Sequence, residues 1–205
     1  MKPKQIVLLA SGSGSNVENI ANYFERDPNV SIAAVLTNKR DAQVLDRCDR
    51  LKISSLCFNR QAFTESDCVL KIVKSLHPDL IVLAGFLWKI PKNLIRAFPD
   101  QIINIHPALL PKYGGKGMYG MNVHKAVKEN KDEETGITIH YVNENYDEGA
   151  IIHQAKTKLL PEDSAETIGK KVQQLEYHCF PRVIEKLLSS PTNDEKSFLT
   201  PPEEG

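Results

Sequence analysis

Short contiguous apolar runs, each followed by a stretch of helical spacing, constrain this chain most. Residues 6–10 read Ile-Val-Leu-Leu-Ala and residues 80–84 read Leu-Ile-Val-Leu-Ala. Runs of this length are strands, and apolar side chains at consecutive positions require cover on both faces, as in a parallel sheet between helices. Residues 30–37 form a second strand, 54–58 a short one, and Ile102-Ile103 start another that ends at Pro107. Helical spacing is found between them: Val17, Ile20, Tyr23 and Phe24; Val44, Leu45, Cys48 and Leu51 in a helix over 41–51; Val69, Leu70, Ile72, Val73 and Leu76 in a helix over 65–76; then a short stretch over 92–98. Strand and helix in alternation imply a parallel sheet with right-handed crossovers. Beyond a helix over 122–130 the pattern changes. Residues 134–142 and 150–160 are two strand-like runs joined by the polar stretch 143–149, a hairpin-like connection. The expectation is one α/β domain over 1–188, Rossmann-like, with a mostly parallel sheet, flanking helices and an antiparallel C-terminal strand addition. Residues 161–166 open the last helix with acidic groups at its positive end. Ile168, Val172, Leu175, Cys179, Val183 and Leu187 form its apolar stripe. Residues 189–205, proline-rich and charged, are expected as a loosely packed tail.

Two stretches carry candidate chemistry. Asn104 and His106 lie two apart, so a strand projects them from the same face. His106 precedes Pro107, which keeps it extended, and Gly114, Gly115 and Gly117 keep the following loop irregular. The pair reads either as reacting groups at a strand end or as a satisfied polar cap. Earlier, Ser11-Gly12-Ser13-Gly14-Ser15-Asn16 links a strand to a helix. Such a turn offers backbone N–H groups to an anion. It lacks the third glycine of a dinucleotide fingerprint and the Gly-Lys-Ser/Thr of a P-loop. A single phosphate is the economical ligand; a plain capped turn is the alternative.

Other positions stay open on the residues alone. Phe86, Leu87, Trp88 and Ile90 leave a central strand and either line a slot for a flat ring or cover the sheet. Asp147 sits in a polar loop long enough to be functional and is either a partner for His106 or a loop aspartate bonded to its own backbone. Glu176, four after Val172, either binds a polar ligand or reaches solvent.

The 26 basic and 26 acidic residues cancel, so no global field draws the chain to nucleic acid or a membrane surface. No run approaches the roughly 20 apolar residues of a membrane span, and the first apolar run is too short for a signal core. Cys48, Cys57, Cys68 and Cys179 lack zinc or C-x-x-C spacing, which fits reduced thiols in a cytoplasmic protein.

Taken together, Ser11–Asn16, Leu83-Ala-Gly-Phe86, Asn104-Ile-His-Pro-Ala-Leu-Leu-Pro111, Gly136-Ile-Thr-Ile-His140 and Asp147-Glu-Gly149 stand in a familiar order. The chain resembles the folate-dependent phosphoribosylglycinamide formyltransferases of purine biosynthesis, over about residues 4–188. The resemblance implies the formyltransferase fold, 10-formyltetrahydrofolate as co-substrate, no metal, small-molecule partners only, and a monomer or homodimer. It makes Asn104, His106 and Asp147 catalytic. Gly14, Ser15 and Asn16 would hold the substrate phosphate, and Glu176 the glycinamide substrate. Leu87, Trp88, Lys89 and Ile90, with Val142, Asn143, Glu144 and Tyr146, would receive the folate. The chain departs from the family in two places. Residues 112–121 are several longer than the usual Lys-Tyr-Pro-Gly stretch, and Trp88 stands where a basic residue is familiar. A formyltransferase acting on a sugar amine, a formylfolate hydrolase and a non-catalytic phosphometabolite-binding module are the rival readings.

Overall fold

The computed structural model describes residues 2–189. The strands are β1 (Lys4–Ala10), β2 (Val30–Thr37), β3 (Ser55–Cys57), β4 (Leu80–Leu83), β5 (Ile102–His106), β6 (Glu134–Tyr141) and β7 (Ile151–Lys158). The helices are α1 (Ser15–Phe24), α2 (Val44–Leu51), α3 (Arg60–Thr64), α4 (Cys68–Ser75), α5 (Lys92–Ala97), α6 (Met121–Glu129) and α7 (Ala165–Ser189). The strands form a single sheet in the order β3-β2-β1-β4-β5-β6-β7. β1 to β5 pair in parallel; β6 and β7 join antiparallel. Chain order reverses between β1 and β4, and the crevice outside the carboxyl ends of strands at such a switch is where open α/β sheets bind ligands.

The contiguous apolar runs behave as strands buried on both faces. Ile6, Leu8 and Ala10 of β1 pack with Val17, Ile20, Phe180 and Ile184 from α1 and α7, whereas Val7 and Leu9 pack with Phe63, Val69, Val73 and Leu94 on the other face. The same alternation sends Ile103 and Ile105 to the α1–α7 face and Ile102 to the opposite one. Asn104 and His106 therefore project from the face that carries α4 and α5.

Several boundaries differ from the sequence reading. The helix expected from 65 starts at Cys68, and a separate short helix, α3, precedes it, capped by the Asn59 side chain accepting from Ala62 N at 2.8 Å. The helix expected from 41 starts at Val44. In α7 the second half of the buried stripe is shifted by one residue: Phe180, Ile184 and Leu188 are buried, while Cys179, Val183 and Leu187 flank the core. The buried line runs 172, 180, 184, 188, and the half-buried Glu176 falls on that row between 172 and 180. Ser189 closes α7; the expected tail lies otherwise outside the described residues. Among those residues no helix is long and apolar enough to cross a membrane.

Pro181 lies inside α7. It has no N–H, so the carbonyl of Tyr177, one turn earlier, loses its intrahelical donor. The Asn19 amide of α1 donates to that carbonyl at 3.0 Å, so one side chain both satisfies the orphan acceptor and ties α1 to α7. Asn19→Ala is expected to lower stability by about 1 kcal/mol, seen as a lower urea midpoint with unchanged m. An unchanged midpoint would show that the carbonyl needs no such partner.

Candidate active site

The glycine-rich turn is fastened from three directions. Ser11 N donates to Gly85 O at 3.0 Å and Ser11 Oγ accepts from Leu87 N at 2.9 Å, locking the ends of β1 and β4 together at the switch point. Val44 N donates to Gly12 O, and Arg47 Nε to Ser13 O. Arg47 and Arg50 both pair with Glu18 of α1. Gly14 has φ 76, and a Cβ there would stand 2.4 Å from the Val44 side chain, so only glycine fits. α1 begins with no side-chain cap. Its first N–H groups, a favoured seat for an anion, open onto a cleft.

That cleft, about 750 Å³, is lined by Gly14, Ser15, Asn16, Asn104, His106, Asp147 and Glu176, with Leu87 and Tyr146, and by Lys39, Lys116 and Lys170. The three lysines share that lining with Glu166 as well as Asp147 and Glu176, so the cleft presents cations for a phosphate beside carboxyl groups for an amine. Asn16 is buried and donates to Glu176 Oε2 at 2.8 Å; its own Oδ1 is buried without a partner. Burial pushes the Glu176 carboxyl above the usual glutamate range, against the pull of that hydrogen bond. A carboxyl held toward its neutral form in a polar cleft serves as a hydrogen-bonding group for a ligand.

Asn104 and His106 emerge from β5 opposite β6, where Asn104 pairs with His140 and His106 with Thr138. The fully buried Thr138 hydroxyl donates to Ala108 O at 2.7 Å and accepts from Leu110 N at 3.0 Å and Gln154 Nε2 at 2.9 Å, so it pins the segment that leaves β5. His140 Nδ1 lies 2.8 Å from Tyr141 O. A carbonyl only accepts, so this nitrogen carries the proton. The other, Nε2, accepts from Asn104 Nδ2 at 3.1 Å when the ring is neutral. The Asn104 amide is thereby oriented, with a second N–H left to give.

Asp147 joins the two imidazoles. Its Oδ2 lies 3.6 Å from His106 Nδ1 and its Oδ1 3.6 Å from His140 Nε2, while Gly115 N donates to Oδ2 at 2.9 Å. Its carboxylate is thus engaged across the fold. Asp147 has φ 56, a left-handed turn that aspartate tolerates better than most residues. Two residues on, a Cβ at Gly149 would fall 1.6 Å from Tyr141 O, so this return of the loop requires glycine. Burial is the largest single influence on Asp147 and raises its pKa, but His140, His106 and the Gly115 N–H together hold it below the usual aspartate value. For His106, 3% exposed, burial wins. Its pKa is lowered, although Asp147 and the Tyr113 carbonyl pull it up. The Asp147 carboxylate by itself would raise the value; desolvation reverses the sign.

The residues expected around a flat ring divide. Leu87 and Tyr146 line the cleft. Ile90 is buried in the core of the α4–α5 face, and Trp88 and Val142 pack against that core. Trp88 lies within 6.4 Å of the Phe58, Phe63 and Phe86 rings, centroid to centroid, and the Arg60 guanidinium sits 5.1 Å over its indole. Lys89 stands 5.6 Å from the Tyr146 ring. Asn143 Oδ1 accepts from Asn145 N, and Glu144 pairs with Lys92 at 2.7 Å and Arg96 at 3.7 Å. His140 lies within the Gly136–His140 motif, which alone gives it no role. Its place at the site comes from register, which sets it opposite Asn104 across the β5–β6 pair. Arg60 was missed because a cation over an aromatic ring has no signature in spacing.

Comparison with known proteins agrees with this geometry. The profile of the formyl transferase family matches residues 4–184. The phosphoribosylglycinamide formyltransferase of Haemophilus influenzae is 38% identical over 186 residues, covering 88% of this chain and 85% of that protein. The chloroplastic phosphoribosylglycinamide formyltransferase of Arabidopsis thaliana is 36% identical over 88% of this chain, which spans only 64% of that longer protein. The crystal structure of the Anaplasma phagocytophilum phosphoribosylglycinamide formyltransferase superposes with a TM-score of 0.84 at 28% identity, covering 95% and 92% of the two chains. A single sheet with an antiparallel end, a glycine-rich turn at its switch point and similarity along almost all of the described chain place this protein in the formyl transferase family, among the phosphoribosylglycinamide formyltransferases.

Proposed function

We propose that this chain transfers the formyl group of 10-formyltetrahydrofolate to the primary amine of phosphoribosylglycinamide, giving formyl-phosphoribosylglycinamide and tetrahydrofolate in purine biosynthesis. The observation that carries the reading is convergence. Asn104, His106 and Asp147 meet in the same cleft as the glycine-rich turn and Glu176. The turn and Glu176 belong to α1 and α7, whereas Asn104 and His106 project from the opposite face of the sheet beside Leu87 and Tyr146. The cleft therefore passes around the carboxyl ends of the strands from one face to the other. A phosphorylated amine held on the α1–α7 side meets a flat formyl donor held on the α5 side, with the reacting carbon beside Asn104.

The amine nitrogen attacks the formyl carbon, and negative charge develops on the formyl oxygen. The free N–H of Asn104 donates to that oxygen, a contact worth about 3 to 4 kcal/mol when preorganised. Attack makes the amine nitrogen acidic. His106, neutral in the free protein because burial lowers its pKa, takes the excess proton at Nδ1 and becomes a cation paired with Asp147. That cation stabilises the oxyanion, and the proton returns through water to the departing folate nitrogen as the carbon–nitrogen bond breaks. Glu176 and Asn16 orient the glycinamide part, and Gly14, Ser15 and Asn16 receive the phosphate. The apolar wall of Leu87 with Trp88 and Ile90 behind it suits a pterin, with Val142, Asn143, Glu144 and Tyr146 along its margin. Arg60 and Lys89 supply cations near Trp88 for the carboxylates of the folate tail. A cytoplasmic location belongs to the same reading.

An assay with both substrates tests it. The expected result is tetrahydrofolate release that depends on phosphoribosylglycinamide. Release of formate without the amine would instead mark a hydrolase, and binding of the phosphate ligand with no turnover a non-catalytic module.

A further inference from the structure

One polar contact at the site has no part in the chemistry outlined above. His106 Nε2 lies 2.7 Å from the main-chain carbonyl of Tyr113. A carbonyl has no proton to give, so Nε2 carries one and donates it. The proton-accepting atom of the neutral ring is then Nδ1, which faces Asp147. Tyr113 is itself moored at its far end. Its hydroxyl donates to Asp132 Oδ2 at 2.9 Å and accepts from Asn130 Nδ2 at 2.7 Å, and Lys112 Nζ stands 3.6 Å from the other Asp132 oxygen. Asn130 and Asp132 lie in the turn between α6 and β6. The backbone at Tyr113 is left-handed, φ 56, a conformation that a tyrosine holds only when its surroundings impose it. The side chain spans from that turn to the site, and its ring packs against the core.

We propose that Tyr113, moored by Asn130 and Asp132, is a positioning residue that keeps the His106 proton on Nε2 and leaves Nδ1 as the single proton-exchanging atom. The need arises from the neighbours. Asp147 and His140 are the titratable groups that face His106. A carboxylate attracts an N–H more strongly than a carbonyl does. Were the Tyr113 carbonyl to withdraw, the neutral ring would place its proton on Nδ1 toward Asp147, and the nitrogen that must accept the amine proton would already be filled. A wrong tautomer in an otherwise intact site is a known route to large rate losses.

The inference rests on the formyl-transfer reading for its kinetic consequence but not for the tautomer, which is readable in the unliganded protein. Tyr113→Phe keeps the ring and removes both mooring bonds. Its kcat is expected to fall about tenfold, with the KM for phosphoribosylglycinamide unchanged and the acid limb of kcat/KM displaced to lower pH. With Tyr113 in place, Asp132→Asn, which still offers the hydroxyl an acceptor, should retain most of the wild-type turnover, and Asp132→Ala should not. Nitrogen-15 NMR of the histidine rings in the full chain is expected to show His106 as the Nε2–H tautomer alone, and as a mixture in Tyr113→Phe. A Tyr113→Phe protein with wild-type kcat, pH profile and tautomer would overturn the proposal. So would a mixed tautomer in the wild-type protein, whatever its activity. A wild-type protein with the single tautomer and no formyl transfer would support the positioning role while removing the reaction assigned to the site.

Discussion

Replacing His106 with alanine is expected to lower turnover by about 10²- to 10³-fold while leaving affinity for the phosphorylated substrate nearly unchanged. The imidazole is the only cation that the proposed reaction creates beside the formyl oxygen. Its loss removes both the proton acceptor and the charge opposite Asp147. The phosphate seat at Gly14, Ser15 and Asn16 is built on the turn from β1 into α1, whereas the polar partners of His106 are Tyr113 and Asp147, so binding there should survive. Steady-state rates, with calorimetric titration of phosphoribosylglycinamide, separate the two effects. Turnover near that of the wild type would remove His106 from the chemistry.

Asp147→Asn should cost turnover about 10²- to 10⁴-fold. Asparagine keeps the shape and can still accept from Gly115 N, so the loop should hold. What disappears is the charge that pulls the His106 pKa up against burial. The imidazole then becomes a weaker base, and the acid limb of kcat/KM moves to lower pH. The same substitution alters stability in a defined window. The Asp147 pKa in the folded protein lies below its ordinary value, so its charge contributes stability above about pH 4 that is lost as pH falls through the folded pKa. Wild type and variant should therefore differ in urea midpoint at neutral pH and converge under strongly acidic conditions. A pH–rate profile identical to that of the wild type would dissociate Asp147 from His106.

Much of the scaffold was legible because its signals are local. β1 and β4 are contiguous apolar runs, β2 was bounded at the right residues, and the change of pattern after 130 marked the antiparallel end. α3 was not legible, since five residues give no period to read. The α7 stripe was traced through Leu175 and Cys179, although the line through Glu176 and Phe180 is the buried one. A polar residue on the buried row masks the period, and that residue turned out to line the cleft. Convergence at the site lies beyond local signals. That Asn104 meets His140 follows from strand register, and that Gly115 and Tyr113 touch Asp147 and His106 follows from the path of a long glycine-rich loop. The sign of the His106 pKa depends on how completely the neighbours exclude water, a quantity no spacing encodes.

The connection between β6 and β7, residues 142–150, carries a geometric obligation. Val142 N is bonded to Ile102 O at the start of β5, yet Asp147 must reach His106 at the other end of that strand, four residues or roughly 13 Å away. Five links of chain reach roughly 17 Å at full extension, and the turn within them uses part of that length. Surface connections usually drift freely in length between related proteins. This one behaves as a measured tether: a single deletion within it would leave the sheet intact and strand the carboxylate short of its imidazole.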